Sequence, residues 1–388
     1  MTKPSPNAVS PSPGNGRVKH RQAGVELMRG IAAYGVIVIH AGLVSANHRS
    51  PAVISLQSFF SQTSVPFFLA ASFYFAASPS SAKEAFVPWL KQKAWHLLVP
   101  YALWTLIYTA LQAAQLLTHP NPLSNLAQLF SDPIARFLFG GSGVALYFLP
   151  LLFVGLVTMK ILTPVFVNRS PIVLGFTCLA ALLISSVVNL TGNEFVLGPG
   201  TAFQPLLASW LGVEPSHFWA DFLPLRLVLV ILAFTLRCLP YILLGWLCAR
   251  LKTAPLSPPT RIVLGTVTIL FIILATQIAV PESLVGYSVL HLALVLPVPE
   301  NVFWINLLGR YSFAIYLMHQ ALLEALKLTA HNHLSFMDLE IVLPLTIAVF
   351  ATAFLLAYAA DKFGGNKARL LMALPESHPQ AHGPFRVA

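Results

Sequence analysis

The sequence predicts an all-α fold: a polytopic integral membrane bundle of about ten transmembrane helices with both termini on the cytoplasmic side. Three observations predict it. Of 388 residues, 56% are hydrophobic and only 9% charged, against about 25% charged in a soluble domain. Apolar stretches of membrane-spanning length recur along the chain. The lysines and arginines gather at the ends of those stretches, mostly on one side, as the bias toward cytoplasmic positive charge requires.

In chain order, residues 1–24 are rich in Pro, Ser, Gly and Lys and read as a disordered cytoplasmic tail without the apolar core of a signal peptide. Spans are expected near 26–46, 52–77, 95–117, 144–167, 171–190, 229–250, 261–280, 283–298, 309–328 and 339–360, the eighth being short and bounded by prolines. Residues 25–361 thus form one transmembrane domain, and 362–388 a second cytoplasmic tail. Of the 23 lysines and arginines, only Arg49, Arg136, Arg226 and Lys327 face outward in this arrangement, while Arg29 and Arg237 fall within spans. Two outer loops, 118–143 and 191–228, contain Pro, Gly and aromatics with a few polar groups, and read as caps or re-entrant segments over an outward-facing cavity. Asp132 and Arg136 lie in the first of them.

The net charge of +10 does not indicate nucleic acid, because basic residues are scattered at span ends. Cys178, Cys238 and Cys248 fall inside apolar segments with no metal-ligand spacing, so neither a disulfide framework nor a metal site is expected.

The informative residues are polar groups placed where lipid should be. In "ELMRGIAAYGVIVIH", Arg29 and His40 are eleven residues apart. At about 100° per residue they return to one helix face, separated by about 16 Å of rise. Helix rise also places His40, Arg237 and Glu324 at about 20 Å from the cytoplasmic side. Intramembrane ionisable groups face a bundle interior or a wet cavity and pair with one another, so the three are expected to line one cavity, Glu324 pairing with Arg237 or orienting His40. On span nine, Ser312, Tyr316, His319, Gln320 and Glu324 form one polar stripe. The bland readings are snorkelling for Arg29, a hydrogen-bonded structural role for each histidine and a structural ion pair for Arg237.

At these residues the chain resembles the acyltransferase-3 membrane O-acyltransferases. The opening stretch has the family's Arg-x10-His. "VPFFLAASFYF" (65–75) is similar to its second-span motif, with Leu69 and Phe73 departing from it. "LVPYALWTLIY" (98–108) resembles its third span, and "ALYFLPLLF" (145–153) its Leu-Trp-Phe-Leu segment, with Tyr147 in place of Trp. "LPYILLGWL" (239–247) and "LGRYSFAIYLMHQALL" (308–323) complete an ordered set. A cytoplasmic Arg-x-x-Arg common in the family is replaced by Lys93 and His96 in "KQKAWHLLVP", which removes bidentate phosphate binding by two guanidiniums.

The resemblance implies transfer of an acyl group, usually acetyl from acetyl-CoA, to a hydroxyl of an extracytoplasmic acceptor, a polysaccharide or a lipid-linked oligosaccharide, in a bacterial inner membrane. Arg29, Lys91, Lys93 and His96 would meet the CoA phosphates. His40 would act as base, with Arg237, or His319 with Tyr316, at the developing oxyanion. Tyr147, Asp132 and Ser72 are the candidates for holding the acceptor. An acyl-His40 intermediate is equally compatible with the sequence. The competing class is a transporter or flippase without covalent chemistry, which predicts an internal repeat that the two halves do not show.

Overall fold

The computed structural model describes residues 22–43, 48–77, 84–117, 120–131, 133–138, 140–143, 145–190, 223–251, 257–278, 280–299, 302–329 and 336–374. The long helices are α1 (Ala23–His40), α2 (Pro51–Ala76) and α3 (Phe86–Leu117), then, after the short α4 (Pro122–Leu129) and α5 (Pro133–Leu138), α6 (Phe148–Phe166) and α7 (Pro171–Leu190). They continue as α8 (Leu223–Arg250), α9 (Pro258–Ala275), α10 (Glu282–Val295), α11 (Phe303–Thr329) and α12 (Leu339–Phe363), and a last short helix, α13, covers Gly365–Leu371. The non-helical ladder among the described residues is a two-residue parallel pairing of His48 and Arg49 with Phe336 and Met337.

Each of the ten expected stretches coincides with one of the long helices. Among the described residues, six are long and apolar enough to cross a membrane: α1, α3, α6, residues 227–250 of α8, α9 and α12. α7 and α10 contribute shorter apolar helices. α2 and α11 are long but less apolar, for a physical reason. α2 carries Gln57, Ser58, Ser61, Gln62, Thr63 and Ser64, and α11 carries Arg310, Ser312, His319, Gln320 and Glu324. Several of these side chains, Gln57, Thr63, Ser64, Ser312, His319 and Gln320, are buried on the inner faces of the two helices, where polar groups find partners that lipid cannot offer.

α1 is central because its sequence is small-residue rich. A Cβ at Gly35 would overlap the Ser64 hydroxyl and the Phe60 ring of α2, and one at Gly24 would run into the Ala293 carbonyl of α10. Such close backbone approach is how membrane helices gain packing energy when there is no water to exclude. The start of α1 and the end of α12 lie at one end of the bundle, where Glu26 meets Gly309 and Arg310 pairs with Asp361 at 2.8 Å. The end of α1, carrying His40, lies at the other. There the chain is clamped by the parallel pairing and by Ser50 Oγ donating to Asp338 Oδ1 at 2.9 Å.

Two segments depart from simple connections. Residues 140–143 and 145–147, expected as an outer loop running into a span, fold into the bundle. The Gly140 amide donates to the Tyr101 hydroxyl at 2.8 Å, Gln112 Nε2 donates to the Ser142 carbonyl at 2.9 Å, and Leu146 is fully buried. Beyond residue 362 the chain does not leave the bundle at once. α13 docks on α3 through Trp104 Nε1 and the Leu371 carbonyl, 2.8 Å apart, while Arg369 donates to the Asp361 carbonyl.

Candidate functional site

His40 is the last residue of α1, a position whose carbonyls have no partner within the helix. α2 supplies one. Buried Gln57 donates from Nε2 to the carbonyls of Val38 at 3.1 Å and Ile39 at 3.4 Å, and its Oε1 accepts from Arg49 Nη1 at 2.9 Å. The final turn of α1 is thereby pinned, and with it the backbone that carries His40.

α11 approaches from the other side with the polar stripe facing inward: Ser312 and His319 are fully buried and Gln320 nearly so. The Tyr316 hydroxyl donates to the Ala145 carbonyl of the folded-in segment, and the Ala145 amide donates to Gln320 Oε1 at 3.4 Å. The hydroxyl of Tyr108, from α3, donates to the Leu317 carbonyl at 2.6 Å and accepts from the Ala321 amide at 3.3 Å. One hydroxyl thus bonds both a carbonyl and the amide four residues on, tying α3 to this turn of α11. His319 occupies that turn, its Nδ1 2.5 Å from the Tyr316 carbonyl. Its ring centroid is 5.3 Å from that of His40, with the planes at 31°.

His40 opens onto a cavity of about 210 Å³ whose polar lining is completed by Ser61, Tyr147, Arg237, Glu282 and Tyr316, with Val36, Ile39, Val65, Pro66, Ala145 and Phe148 as its apolar walls. Arg237 is held by Glu282 in a two-pronged pair, Nε to Oε1 at 2.8 Å and Nη2 to Oε2 at 3.0 Å. Its guanidinium lies 5.7 Å from the centre of the Tyr147 ring. The pairing neutralises a cation that would otherwise be costly at this depth.

A second cavity, about 480 Å³, lies toward the opposite end and is lined by the continuation of three of the helices that line the first, among them Ser72, Phe75 and Ala76 of α2, Leu152, Met159, Lys160 and Thr163 of α6, and Trp246 of α8. Glu84, Trp89, Gln92 and Lys93 also line it. Lys160 Nζ is 5.7 Å from the Trp89 ring centre. From the nearest lining residues, Pro66 to Ser72, Phe148 to Leu152 and Arg237 to Trp246, the two cavities are offset by about 6 to 14 Å along the helices. Tyr241, fully buried and with its ring 6.5 Å from that of Phe73, occupies the interval on α8.

The structure therefore gathers His40, Arg237, Tyr147 and Tyr316 around one cavity, with His319 behind His40. It does not bring Glu324 there. Glu324 accepts from Gln115 Nε2 at 3.1 Å, so the expected Arg237–Glu324 pairing is corrected to Arg237–Glu282. Equal depth fixes height in the bundle but not direction around it, and α8 packs against α10 rather than against the Glu324 end of α11. Ser72 faces the second cavity, away from His40. Lys93 lines that cavity, whereas Arg29, Lys91 and His96 lie outside its lining. Lys91 and His96 are exposed, and Arg29, 41% exposed, lies 3.8 Å from Glu26. Asp132 is outside the described residues.

Three residues were missed. Glu282 opens a short helix just after Pro281 and reads as a loop charge. Lys160 reads as a flanking cation, although its place within "VTMKILTP" is a signal of a wet interior. Ser61 is one of many polar residues on α2. None of the groups of histidine, cysteine and acidic residues among the described residues has the arrangement of a metal site.

Residues 22–361 match the sequence model of a family described as "Acyltransferase domain", the acyltransferase-3 group. No curated protein and no solved structure matches.

Proposed function

The chain belongs to the acyltransferase-3 family and is a membrane acyltransferase, and from that premise we propose that it carries an acyl group, acetyl in the first instance, from cytoplasmic acyl-CoA to a hydroxyl of an extracytoplasmic glycan. The glycan is a cell-surface polysaccharide or its lipid-linked precursor, and the membrane is the bacterial inner membrane. The lysine-lined end is cytoplasmic in this reading, in keeping with the positive charge of that side, and all ten long helices span.

The observation that carries the reading is the alignment of two unlike cavities along α2, α6 and α8. Coenzyme A is a polyanion supplied from the cytoplasm, and the cavity there offers Lys93 and Lys160 with the flat Trp89 and Trp246 rings. The acceptor comes from outside to a small cavity whose one cation is already paired and whose base is an imidazole. Acyl transfer between these places needs the thioester to reach past Tyr241 to His40.

At that point His40 takes the proton of the acceptor hydroxyl as its oxygen attacks the thioester carbon. The carbon–sulfur bond then breaks and the same proton passes to the departing sulfur, giving an ester and a free thiol. Arg237 and Tyr147, which line the same cavity as His40, are the groups assigned to stabilising the oxyanion. Prior attack by His40 itself, giving an acyl-imidazole, uses the same geometry.

The test is incorporation of radiolabelled acetyl from acetyl-CoA into the surface polysaccharide of the source cells, in membranes containing the parent protein or His40→Ala. Incorporation that needs both the polysaccharide and His40 is expected. Equal incorporation by a well-inserted His40→Ala protein would sink the assignment.

A further inference from the structure

We infer that His319 is the positioning partner of His40: its Nε2 accepts an N–H from the His40 ring and so leaves the other His40 nitrogen facing the acceptor hydroxyl. The inference rests on the proposed role of His40 as base and supplies what would make that imidazole one.

The tautomer of His319 follows from its contacts. Nδ1 lies 2.5 Å from the Tyr316 carbonyl, and a carbonyl only accepts, so Nδ1 carries the proton and Nε2 of the neutral ring presents a lone pair. That Nε2 is buried and has no hydrogen-bond partner, which is uncommon for a buried polar atom and calls for an explanation. The explanation at hand is the His40 ring, 5.3 Å away between centroids. Rotation of His40 about its side-chain torsions brings an N–H onto the lone pair, and catalytic hydrogen bonds are often loose before substrate binds.

Two alternatives fail on the same contacts. A neutral His319 has no N–H left for an oxyanion, because Nδ1–H is engaged by Tyr316. A carboxylate partner for His40 is not at hand either: Glu282 is held by Arg237 and Glu324 by Gln115. The logic is that of a nucleophile–base–orienter chain, with an imidazole where an acid usually stands. The Tyr108 hydroxyl, bonded to the Leu317 carbonyl and the Ala321 amide, holds the turn on which His319 rides.

The test compares His40→Ala, His319→Asn and His319→Gln in membranes of cells lacking the parent gene, with radiolabelled acetyl-CoA and the cells' own surface polysaccharide. Asn keeps a donor near Nδ1 but loses the acceptor at Nε2, whereas the longer Gln restores an oxygen there. His319→Asn should lower kcat about 100-fold, the lower end for loss of general acid–base function, with KM for acetyl-CoA within about twofold. His319→Gln should regain at least about tenfold. If His40→Ala is inactive and His319→Asn has the parent's kcat, the positioning role is overturned and the His40 reading stands. If His40→Ala is active, both fall. Should both His319 variants be inactive or poorly inserted, ¹⁵N NMR of the parent protein decides. An unprotonated His319 Nε2 accepting from the His40 ring is expected, and a protonated Nε2 overturns the inference.

Discussion

The two cavities share walls from α2, α6 and α8 but draw their other polar groups from different helices, and they hold those groups in opposite ways. At the His40 end the polar groups are few and mutually fixed: Arg237 by Glu282, Tyr316 by the Ala145 carbonyl, and the α1 terminus by Gln57. At the lysine end the cavity is more than twice as large, and Lys93 and Lys160 share it with a single carboxylate, that of Glu84. Fixed dipoles suit a place where charge develops during a reaction, since they need not reorganise. Cations on flexible stems suit capture of a polyanion from water. The comparison teaches that the two ends are built differently, and under the proposed function it separates donor recognition from chemistry on the acceptor, so substitutions at the two ends should fail differently.

The largest expected effect is at the chemical end: His40→Ala should abolish transfer, with acyl-CoA binding by the other cavity retained, measured by isothermal titration with CoA. Loss of both together would break the separation. Next is the donor end. Charge-assisted contacts to phosphate are worth about 1.5–3 kcal/mol, so Lys93→Gln and Lys160→Gln should each raise KM for acyl-CoA by about tenfold or more and leave kcat within about twofold. A fall in kcat at constant KM would place the lysines in the chemistry instead.

A smaller effect is expected at the Arg237–Glu282 pair. Breaking a fully buried pair costs about 3–5 kcal/mol, but Glu282 is 38% exposed, which reduces this to about 1–2 kcal/mol. Glu282→Gln should therefore lower Tm in detergent measurably, and a Glu282→Arg, Arg237→Glu exchange should recover part of the loss. The smallest effect sharpens the comparison by its absence. Glu324→Gln keeps an acceptor for Gln115 and touches neither cavity, so activity within about twofold of the parent is expected in the acetyl-incorporation assay.

Much of this was legible in the sequence, because membrane burial makes apolar length and misplaced polarity strong signals. The ten helices, the inward stripe of α11 and the place of His40 on the inner face of α1 all follow from periodicity and rise. What was not legible is azimuth. Rise put Arg237 and Glu324 at one height, but nothing in the sequence tells which neighbour each helix faces, and the partner of Arg237 proved to be Glu282. That residue starts a short helix after a proline, where a carboxylate reads as a loop charge. Ser72, about 9 Å along α2 from Pro66, belongs to the other cavity. The folding-in of residues 140–143 and 145–147 depends on backbone groups meeting Tyr101, Gln112 and Gln320, contacts between distant segments that no local pattern encodes.

The claim that donor and acceptor meet from opposite sides is tested most directly with sealed proteoliposomes of known protein orientation. Acetyl-CoA is confined to one side and the surface polysaccharide to the other. Acetylated polysaccharide is predicted only when acetyl-CoA is on the Lys93–Lys160 side and the polysaccharide on the His40 side. Product formed with both substrates on one side alone, and none in the crossed arrangement, would contradict it.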